Sequence, residues 1–294
     1  MALFTNIQTK FSSILIFCAA ILFSTSSVAE TVSIPVTKTL HAQAEFVSGA
    51  SDIAVLINHG FLTTNKFSTV QSLINAIKDQ GHSVLSPNLT LGINMREQSL
   101  KCNSLHTHTL EEDVTEINAW VDWLIAKGYQ KIVLLGHSSG SQELLLSQIT
   151  HPKPEVKLAI FTSLFYLNGK DLGTLDSDLA LAKKLIDTNQ TTPQKFSFLF
   201  CQKNYLATPE SFLSYHKLTR QQNLDYLNAI TIPSYTIMGS ADKRYQKVGE
   251  NWLDELKATK THLEVIEGAN HFFSSEHEFD LQDKINEIIN TLNN

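Results

Sequence analysis

The sequence predicts an α/β fold with a mostly parallel, doubly wound sheet. Short apolar runs rich in Ile and Val alternate with helical patterns from about residue 52 to residue 165, and the alternation resumes near residue 233. The runs are continuously apolar, which is typical of strands covered by helices on both faces. The 294-residue chain is 43% hydrophobic and 18% charged, so it has enough apolar side chain for a sizeable core.

The pattern of each segment assigns its element. Residues 31–47 alternate loosely between apolar and polar and are interpreted as a pair of strands. The helical pattern over 110–128 follows Thr109, a suitable N-cap, and has acidic residues in its first turn. The remaining strands are expected over 52–60, 82–89, 131–136, 156–165, 233–242 and 261–271, and the remaining helices over 67–81, 142–150, 248–258 and 279–292.

The alternation of strands and helices breaks between residues 167 and 227. This segment contains helical and loop patterns, among them 176–187 and 208–218. It is too long for a plain connection and has no obvious core pattern of its own. We therefore expect it to be a small helical cap inserted over the sheet edge of one domain that spans residues 30–294.

The N-terminal residues 1–29 have the pattern of an export signal. Lys10 precedes the apolar run 11–23, and the small-residue segment 24–29 ends in Val-Ala, which predicts cleavage after Ala29. The apolar run is shorter than the roughly 20 residues of a spanning helix, so a retained membrane anchor is disfavoured. We expect a periplasmic or secreted protein with no stable membrane span after cleavage.

Charge and cysteine content limit the partners and the compartment. The formal net charge is -6 and the basic residues are scattered, so the sequence offers no basic stripe for nucleic acid. Once the signal is removed, Cys102 and Cys201 remain. In an oxidising compartment they can form one disulfide, and two free buried thiols are the alternative that the sequence leaves open.

One glycine-rich turn carries the clearest chemical signal. The stretch KIVLLGHSSGSQELLL, residues 131–146, runs from an apolar strand through Gly-x-Ser-x-Gly into a helical pattern. A tight turn of this kind projects Ser138 clear of the backbone, and Gly136 and Gly140 avoid collisions between strand and helix. The simpler interpretation is that the glycines permit close packing and that Ser138 is a helix N-cap.

The serine turn and two later turns together resemble the α/β-hydrolase family. YTIMGSAD places Asp242 just after a strand, and LEVIEGANHFF places His271 just after the next one. The resemblance covers essentially all of the chain after the signal and is weakest in the cap. It implies the α/β-hydrolase fold and a catalytic triad in which His271 takes the proton of Ser138 and Asp242 orients the imidazole.

Other residues compete for the acid and base roles. Asp225 is a possible acid, but it falls in a helical stretch before the strand that precedes Asp242. His137 lies inside the serine turn, where its own side chain points away from Ser138, so we expect packing or a supporting hydrogen bond. His277 falls at the start of the last helix, where we expect a solvated side chain.

The resemblance also implies an oxyanion hole made by two backbone N–H groups. One belongs to Ser139, which follows the serine at the start of a helix. The other belongs to Phe61, in the loop NHGFLTTN, where Gly60 lets the backbone approach a substrate. An ordinary glycine turn before a helix is the alternative, and for the ring of His59 a structural role is expected.

Two weaker patterns are explained without a catalytic or metal-binding role. His106 and His108 precede three acidic residues, but these are explained as charges in the first turn of a helix, so no metal site and no cofactor are predicted. Arg96 lies in the polar loop 94–102 and is a candidate contact for an anion, with a solvated loop as the default.

The predicted function is therefore that of a serine hydrolase. A carboxylic ester with a small or medium acyl group is the expected substrate, on the resemblance alone. The same triad would also serve a peptidase or amidase, because the fold does not choose the leaving group. A non-catalytic binding protein of the same fold is the alternative from another class, and such a protein usually lacks one of the three residues.

Overall fold

An eight-stranded sheet forms the centre of the computed structural model, which describes residues 29–293. The strands of the sheet lie in the order β1-β2-β4-β3-β5-β6-β9-β10. Their bounds are β1 Glu30–Pro35, β2 His41–Val47, β3 Ile53–Asn58, β4 Ser83–Asn88, β5 Lys131–His137, β6 Val156–Thr162, β9 Ser234–Gly239 and β10 His262–Ile266; β7 Gln194–Phe198 and β8 Cys201–Ala207 form a separate hairpin.

The direction of the strands confirms the predicted fold class. β1 pairs with β2, and β2 with β4, in antiparallel register, as expected for a strand pair at the beginning of the chain. The other neighbours in the sheet, from β4 through β3, β5, β6 and β9 to β10, pair in parallel. Parallel strands end at the same edge of a sheet, so the loops that follow β3, β5, β9 and β10 meet there.

Helices cover both faces of the sheet. The helices are α1 Ser68–Asp79, α2 Leu110–Ala126, α3 Ser139–Thr150, α4 Asp176–Asp187, α5 Pro209–Tyr215, α6 Arg220–Ala229, α7 Tyr245–Val248, α8 Asn251–Lys257 and α9 His277–Asn290, and short 3-10 helices occupy Lys170–Leu172 and Thr291–Asn293. Apolar residues of α1 and α9 pack on one face, and those of α2, α3 and α8 pack on the other.

Alternate residues of β3 show how the sheet separates two cores. Ile53, Val55 and Ile57 belong to the core beneath α1 and α9, whereas Ala54 and Leu56 belong to the opposite core. All five side chains are fully buried. This burial on both faces is the reason that the strand reads as a continuous apolar run.

The start of α2 confirms a prediction about capping. The Thr109 side chain accepts a hydrogen bond from the Glu112 N–H, and the Glu112 carboxylate accepts one from the Thr109 N–H. This reciprocal pair satisfies two of the amides that a helix leaves without intrahelical acceptors.

The segment predicted as a cap lies between β6 and β9 and contains more than helices and loops. α4, α5 and α6 are present, but the hairpin of β7 and β8 was not predicted. Its side chains Phe196, Phe198 and Tyr205 are fully buried and join the same core as α2 and α3. The segment therefore has no separate core, as the sequence indicated.

A disulfide ties this hairpin to the rest of the domain. Cys102 and Cys201 are bonded, with sulfurs 2.01 Å apart, which decides between the two alternatives left by the sequence. Cys201 begins β8, and Cys102 lies in the long loop after β4. The predicted export signal, apart from Ala29, lies outside the described residues. No helix within residues 29–293 is long and apolar enough to cross a membrane.

Candidate active site

Three sequence-predicted residues meet at the carboxyl edge of the sheet. Ser138 follows β5, Asp242 follows β9 and His271 follows β10. The His271 Nε2 lies 2.9 Å from the Ser138 Oγ, and its Nδ1 lies 2.6 Å from the Asp242 Oδ2. The structure thus joins a hydroxyl, an imidazole and a carboxylate from distant parts of the chain in one line of hydrogen bonds.

The turn at Ser138 is tight and crowded, as the sequence predicted, and its backbone is also strained. Ser138 has φ 56° and ψ -124°, a backbone conformation that side-chain-bearing residues rarely adopt. A Cβ on Gly136 would lie 2.5 Å from the Ser141 Cα, and one on Gly140 would lie 2.4 Å from the His59 carbonyl oxygen. Glycine is therefore required at both positions, because any side chain would collide with backbone.

The hydrogen bonds define the state of the imidazole. A carboxylate only accepts hydrogen bonds, so His271 Nδ1 donates to Asp242 and Nε2 remains as the acceptor for the Ser138 hydroxyl. Burial lowers the pKa of His271 below its usual value, Arg244 acts in the same direction, and Asp242 opposes the shift. His271 is therefore neutral near neutral pH and can act as a base.

Asp242 is kept ionised by its neighbours. Burial by itself raises the pKa of this carboxyl, but the hydrogen bond and charge of His271, with Arg244, more than offset burial and leave the pKa below its usual value. The Asp242 Oδ1 also accepts the Arg244 N–H at 2.9 Å. The carboxylate is 3% exposed, so it is fixed in place and shielded from water.

Close contacts fix the two loops that carry Asp242 and His271. A Cβ on Gly239 would lie 2.3 Å from the Ala269 carbonyl oxygen. The loop between β10 and α9, which carries His271 and which we name the histidine loop, therefore passes very close to the end of β9. The Ala241 N–H donates to that same carbonyl at 2.9 Å. The Ser163 hydroxyl, just after β6, donates to the His271 carbonyl at 2.7 Å. Sequence reasoning missed Ser163; its place directly after the strand beside β5 was the available signal.

The predicted oxyanion loop adjoins the serine. A Cβ on Gly60 would lie 3.3 Å from the Ser138 Cβ, so the loop after β3 passes directly beside the hydroxyl-bearing residue. Ser139 begins α3, and the N–H of a first helical residue has no acceptor within its own helix. In the described part of the chain, no turn or loop carbonyl accepts the Phe61 N–H. Both amides are thus available to a ligand.

A pocket of about 490 Å³ opens beside the imidazole. His271 and Asp242 contribute to its wall, together with residues of the cap segment and of the segment after β9. Pockets of this size accommodate small to medium organic ligands. Within residues 29–293, no three side chains of the metal-ligating types gather closely enough to bind a metal ion.

The competing residues take no part in this line of hydrogen bonds, although the His137 ring lies 5.4 Å from the His271 ring. His137 is buried and its Nδ1 contacts the Thr162 Oγ1 at 3.0 Å, which is the supporting bond expected for it. Asp225 lies on α6, where it bonds to Gln221. His277 is the first residue of α9 and contacts Asp280, with its side chain 20% exposed, so it is less solvated than expected.

One expectation about a charged residue is wrong, and a second charged residue is more buried than its local sequence indicates. Arg96 was expected in a solvated loop, but it is 2% exposed, and its guanidinium donates to the carbonyl oxygens of Leu89, Thr63 and Gln98. Asp113 lies in the first turn of α2, as expected, and is in addition 2% exposed and accepts a hydrogen bond from the Tyr215 hydroxyl. Both residues meet partners from remote segments, which local pattern does not reveal.

His59 has the structural position that was expected for it. Its Nδ1 lies 2.9 Å from the Gly60 carbonyl oxygen, and its Nε2 lies 2.9 Å from a terminal nitrogen of Arg96. Burial, followed by the charge of Arg96, lowers the pKa of His59 to about 3. The neutral ring therefore supports the oxyanion loop by its contacts with the Gly60 carbonyl and the Arg96 guanidinium.

Comparison with solved structures defines the class of the fold. Est1E from Butyrivibrio proteoclasticus superimposes with a TM-score of 0.61 at 14% identity, covering 88% of this chain and 97% of that one. An esterase from Pyrococcus furiosus gives a TM-score of 0.59 at 16% identity, covering 90% and 91%. A thioesterase domain from the curacin biosynthetic pathway gives 0.59 at 17% identity, covering 90% and 99%. The protein has the α/β-hydrolase fold.

A family model identifies the relatives of the chain more narrowly. The model described as a protein of unknown function, DUF1749, matches residues 57–219, more than half of the sequence, and the chain belongs to that family. The match includes Phe61 and Ser138, and ends before Asp242 and His271. No curated protein matches the sequence closely enough to count as a relative.

Proposed function

We propose that the chain is a serine hydrolase that uses Ser138, Asp242 and His271, and that its substrates are carboxylic esters with small or medium acyl groups. The observation that carries the proposal is the pair of hydrogen bonds, 2.9 Å and 2.6 Å, that connects the strained serine through the imidazole to the carboxylate. A structural serine at a helix N-cap needs no such base, and the Ser138 side chain forms no cap hydrogen bond.

The proposed reaction follows from the positions of these groups. The Ser138 Oγ attacks the ester carbonyl carbon while His271 Nε2 takes the hydroxyl proton, and Asp242 stabilises the imidazolium. The backbone amides of Phe61 and Ser139 bind the oxygen that becomes negative. His271 then gives its proton to the leaving alcohol, and the acyl group stays on Ser138. Water, activated by the same imidazole, hydrolyses this acyl-enzyme and restores the serine.

The ester substrate rests on analogy and on the size of the pocket. One of the structural neighbours is an esterase by name and another is a thioesterase domain, and Est1E was solved with ferulic acid bound. At such low identities they share the fold alone with this chain. A pocket of about 490 Å³ suits a small or medium ligand.

An activity-based label tests the enzyme directly. A fluorophosphonate probe is expected to label the wild-type protein at Ser138 and to leave Ser138→Ala unlabelled, because only an activated serine reacts with it. Ser147→Ala is the matched control, since Ser147 is a buried serine farther along α3 that bonds to Asn118, and its labelling is expected to persist. Absence of labelling in the wild type would support a binding protein instead.

A substrate panel tests the leaving group. Nitrophenyl esters of increasing acyl length, from acetate to decanoate, are compared with aminoacyl nitroanilides under identical conditions. We expect turnover of the esters, with the highest kcat/KM at short or medium chains. Faster cleavage of the anilides would assign the protein as a peptidase or amidase that uses the same residues.

We also propose that the protein is exported, with cleavage after Ala29. The signal pattern in the sequence supports this, and so does the Cys102–Cys201 disulfide, since such bonds persist in oxidising compartments. The test is mass spectrometry of the N-terminus after cell fractionation. A chain beginning at Glu30 in the periplasm or medium is expected, and a chain that retains the signal inside the cell would overturn the proposal.

A further inference from the structure

The pocket beside His271 has two chemically different walls. The cap segment contributes Leu172, Leu199 and Phe200, and the histidine loop contributes Phe272, which together make an apolar wall. Gln202 and Asn270 add uncharged polar groups. Apart from His271, the remaining lining residues are charged and come from the short segment that follows β9.

The charged wall has an excess of positive charge. Lys243, Arg244 and Lys247 line the pocket, and within the described chain Asp242 is the one acidic residue in this lining. The Asp242 carboxylate is already engaged by His271 and by the Arg244 backbone. The local excess contrasts with the formal net charge of -6 for the whole chain. This wall of the pocket is therefore positively charged, although the protein as a whole has a negative net charge.

Two of these cations have no acidic partner in the protein. Lys243 and Lys247 form no ion pair with any residue among 29–293, although many other lysines do, for example Lys66 with Glu45. Arg244 lies 3.6 Å from Asp242, with 34% of its side chain exposed. The two lysines therefore remain free to meet an anion that enters the pocket.

Together with the proposed mechanism, the position of the imidazole indicates which part of a substrate would occupy this pocket. His271 lines it, whereas Ser138 and the two oxyanion residues do not. In the proposed mechanism the carbonyl oxygen lies against the amides of Phe61 and Ser139, and the leaving oxygen lies against His271 Nε2, which protonates it. The leaving group must therefore extend from the serine toward the histidine side, where the pocket begins.

We propose that this pocket selects substrates whose leaving group carries an anionic oxygen group on a small apolar or aromatic body. The apolar wall of Leu172, Leu199, Phe200 and Phe272 packs against the body, and Lys243 and Lys247 bind the anion. This inference rests on the proposed serine hydrolase. It adds the charge of the substrate and the side of the scissile bond on which that charge lies.

The test compares matched esters. In 4-acetoxybenzoate the leaving group is anionic, and its methyl ester presents the same group without charge; 4-nitrophenyl hemisuccinate and 4-nitrophenyl butyrate supply the corresponding pair on the acyl side. The readout is the ratio of kcat/KM for the anionic ester to that for its neutral partner. Comparing this ratio between protein variants cancels the different intrinsic reactivities of the esters.

The double variant Lys243→Gln/Lys247→Gln is expected to lower the leaving-group ratio by about tenfold at low ionic strength. Lys38→Gln/Lys78→Gln is the matched control, because both lysines are exposed and unpaired with acids in the described chain and the charge change is identical. It is expected to keep the ratio within about twofold, since distant exposed charges are screened. Salt is expected to reduce the wild-type ratio.

The outcomes separate this inference from the proposed function. An unchanged leaving-group ratio in the double variant, with the neutral ester still turned over by wild type, overturns the inference alone. A loss confined to the hemisuccinate ratio overturns the assignment to the leaving-group side. Failure of every ester and of fluorophosphonate labelling overturns the proposed function itself.

Inhibition identifies the anion. Benzoate and phenyl phosphate are tested as competitive inhibitors of the neutral ester, with benzamide as the uncharged control. Stronger inhibition by benzoate assigns a carboxylate, and stronger inhibition by phenyl phosphate assigns a phosphate. Equal weak inhibition by all three overturns the anion site.

Discussion

Two buried sets of polar and ionisable side chains lie near the serine turn. The first is the line of Ser138, His271 and Asp242 at the carboxyl edge of the sheet. The second, which we name the inner polar cluster, lies beneath the oxyanion loop and consists of five residues: His59, Arg96, Asp113, Glu116 and Glu143. Both sets contain histidines and carboxyls whose pKa values are displaced from normal, yet their surroundings differ.

The partners of the inner polar cluster are internal. Arg96 donates to backbone carbonyls, Glu116 accepts from the Thr90 N–H and hydroxyl, and Glu143 accepts from the Asn58 side chain at 2.7 Å. All five members of the cluster are at most 6% exposed. Within the described residues, no member of the cluster lines the pocket beside His271. The cluster therefore stabilises the loop and turn around Ser138 without reaching a substrate.

The comparison shows that a displaced pKa does not by itself mark a catalytic group. Burial raises the pKa of Glu143 to about 8 and that of Glu116 to about 7, although neither residue is among those that line the pocket beside His271. What distinguishes the first set is a strained serine, a base within hydrogen-bonding distance and an adjoining pocket. The two sets should accordingly respond to mutation in opposite ways, one through turnover and the other through stability.

The largest expected effect is the loss of the base. His271→Ala is expected to lower kcat for a nitrophenyl ester by roughly 10⁶-fold, because no other group remains to accept the serine proton. The melting temperature is expected to stay within about 3 °C of wild type, since both hydrogen bonds of the ring are to Ser138 and Asp242 and neither belongs to the core of the sheet. If the variant instead loses its folded structure, His271 is a residue of the structural core and not the base.

Loss of the carboxylate charge is expected to have the next largest effect. Asp242→Asn is expected to lower kcat by about 10⁴-fold while leaving measurable turnover, because the oxyanion amides of Phe61 and Ser139 persist. The side-chain amide of asparagine donates where the carboxylate accepted, so His271 is driven toward the wrong tautomer. Asp225→Asn is the control at the rival carboxyl on α6, and its rate should match wild type. The opposite result would assign the acid to Asp225.

The sequence predicts the first set well because each member sits at a strand end with a local signature. Gly-x-Ser-x-Gly fixes Ser138, and the order of strands, not their distance in sequence, brings Asp242 and His271 to the same edge. The chemistry then follows from residue type. For this reason the sequence alone predicts that three turns, the first and last of them 133 residues apart, lie together.

The inner polar cluster and the hairpin were missed for a different physical reason. Arg96 is buried because carbonyls from two other segments accept its hydrogen bonds, and the sequence of its own loop gives no signal of these partners. The turn between β7 and β8 uses Leu199 with φ 50° rather than the Asn-Gly or Gly pairs that mark a hairpin. Alternation of Phe196 and Phe198 was the remaining signal, and it is too short to distinguish a strand from a loop.

Removal of the buried guanidinium tests the second set. Arg96→Met is expected to lower the free energy of unfolding by about 4 kcal/mol, because it leaves the backbone carbonyls of Leu89, Thr63 and Gln98 without their cationic donor. Urea denaturation followed by circular dichroism gives the measurement. Arg96→Lys keeps the charge without the planar fork and should lose less stability.

The same variants locate Arg96 relative to the chemistry. Per folded molecule, kcat for Arg96→Met is expected to fall by no more than about tenfold, through looser support of Thr63 and His59 in the oxyanion loop. An unchanged stability combined with a drop in kcat of about a thousandfold would contradict the division between the two sets.

The smallest expected effect is a change in how stability depends on pH. Burial, with Glu116 acting in the same direction, raises the pKa of Glu143 from 4.5 to about 8, against the hydrogen bond from Asn58 and the charge of Arg96. Between these two values the folded protein keeps a proton that the unfolded chain releases, so the stability contributed by the neutral group falls as pH rises and levels off above about 8. Asp113 and Glu116, whose pKa values are also raised, contribute in the same sense.

Glu143→Gln removes the titrating group and can still accept the Asn58 hydrogen bond. From pH 6 to pH 9, the free energy of unfolding of the variant relative to wild type is expected to rise by about 3 kcal/mol. Glu210→Gln, at an exposed position of α5, makes the same change of charge without burial and serves as the control for a general effect of net charge. If the wild-type and Glu143→Gln curves stay parallel across this range, Glu143 is ionised in the folded protein. Positive charge in addition to that of Arg96 must then balance the carboxylates of the inner polar cluster.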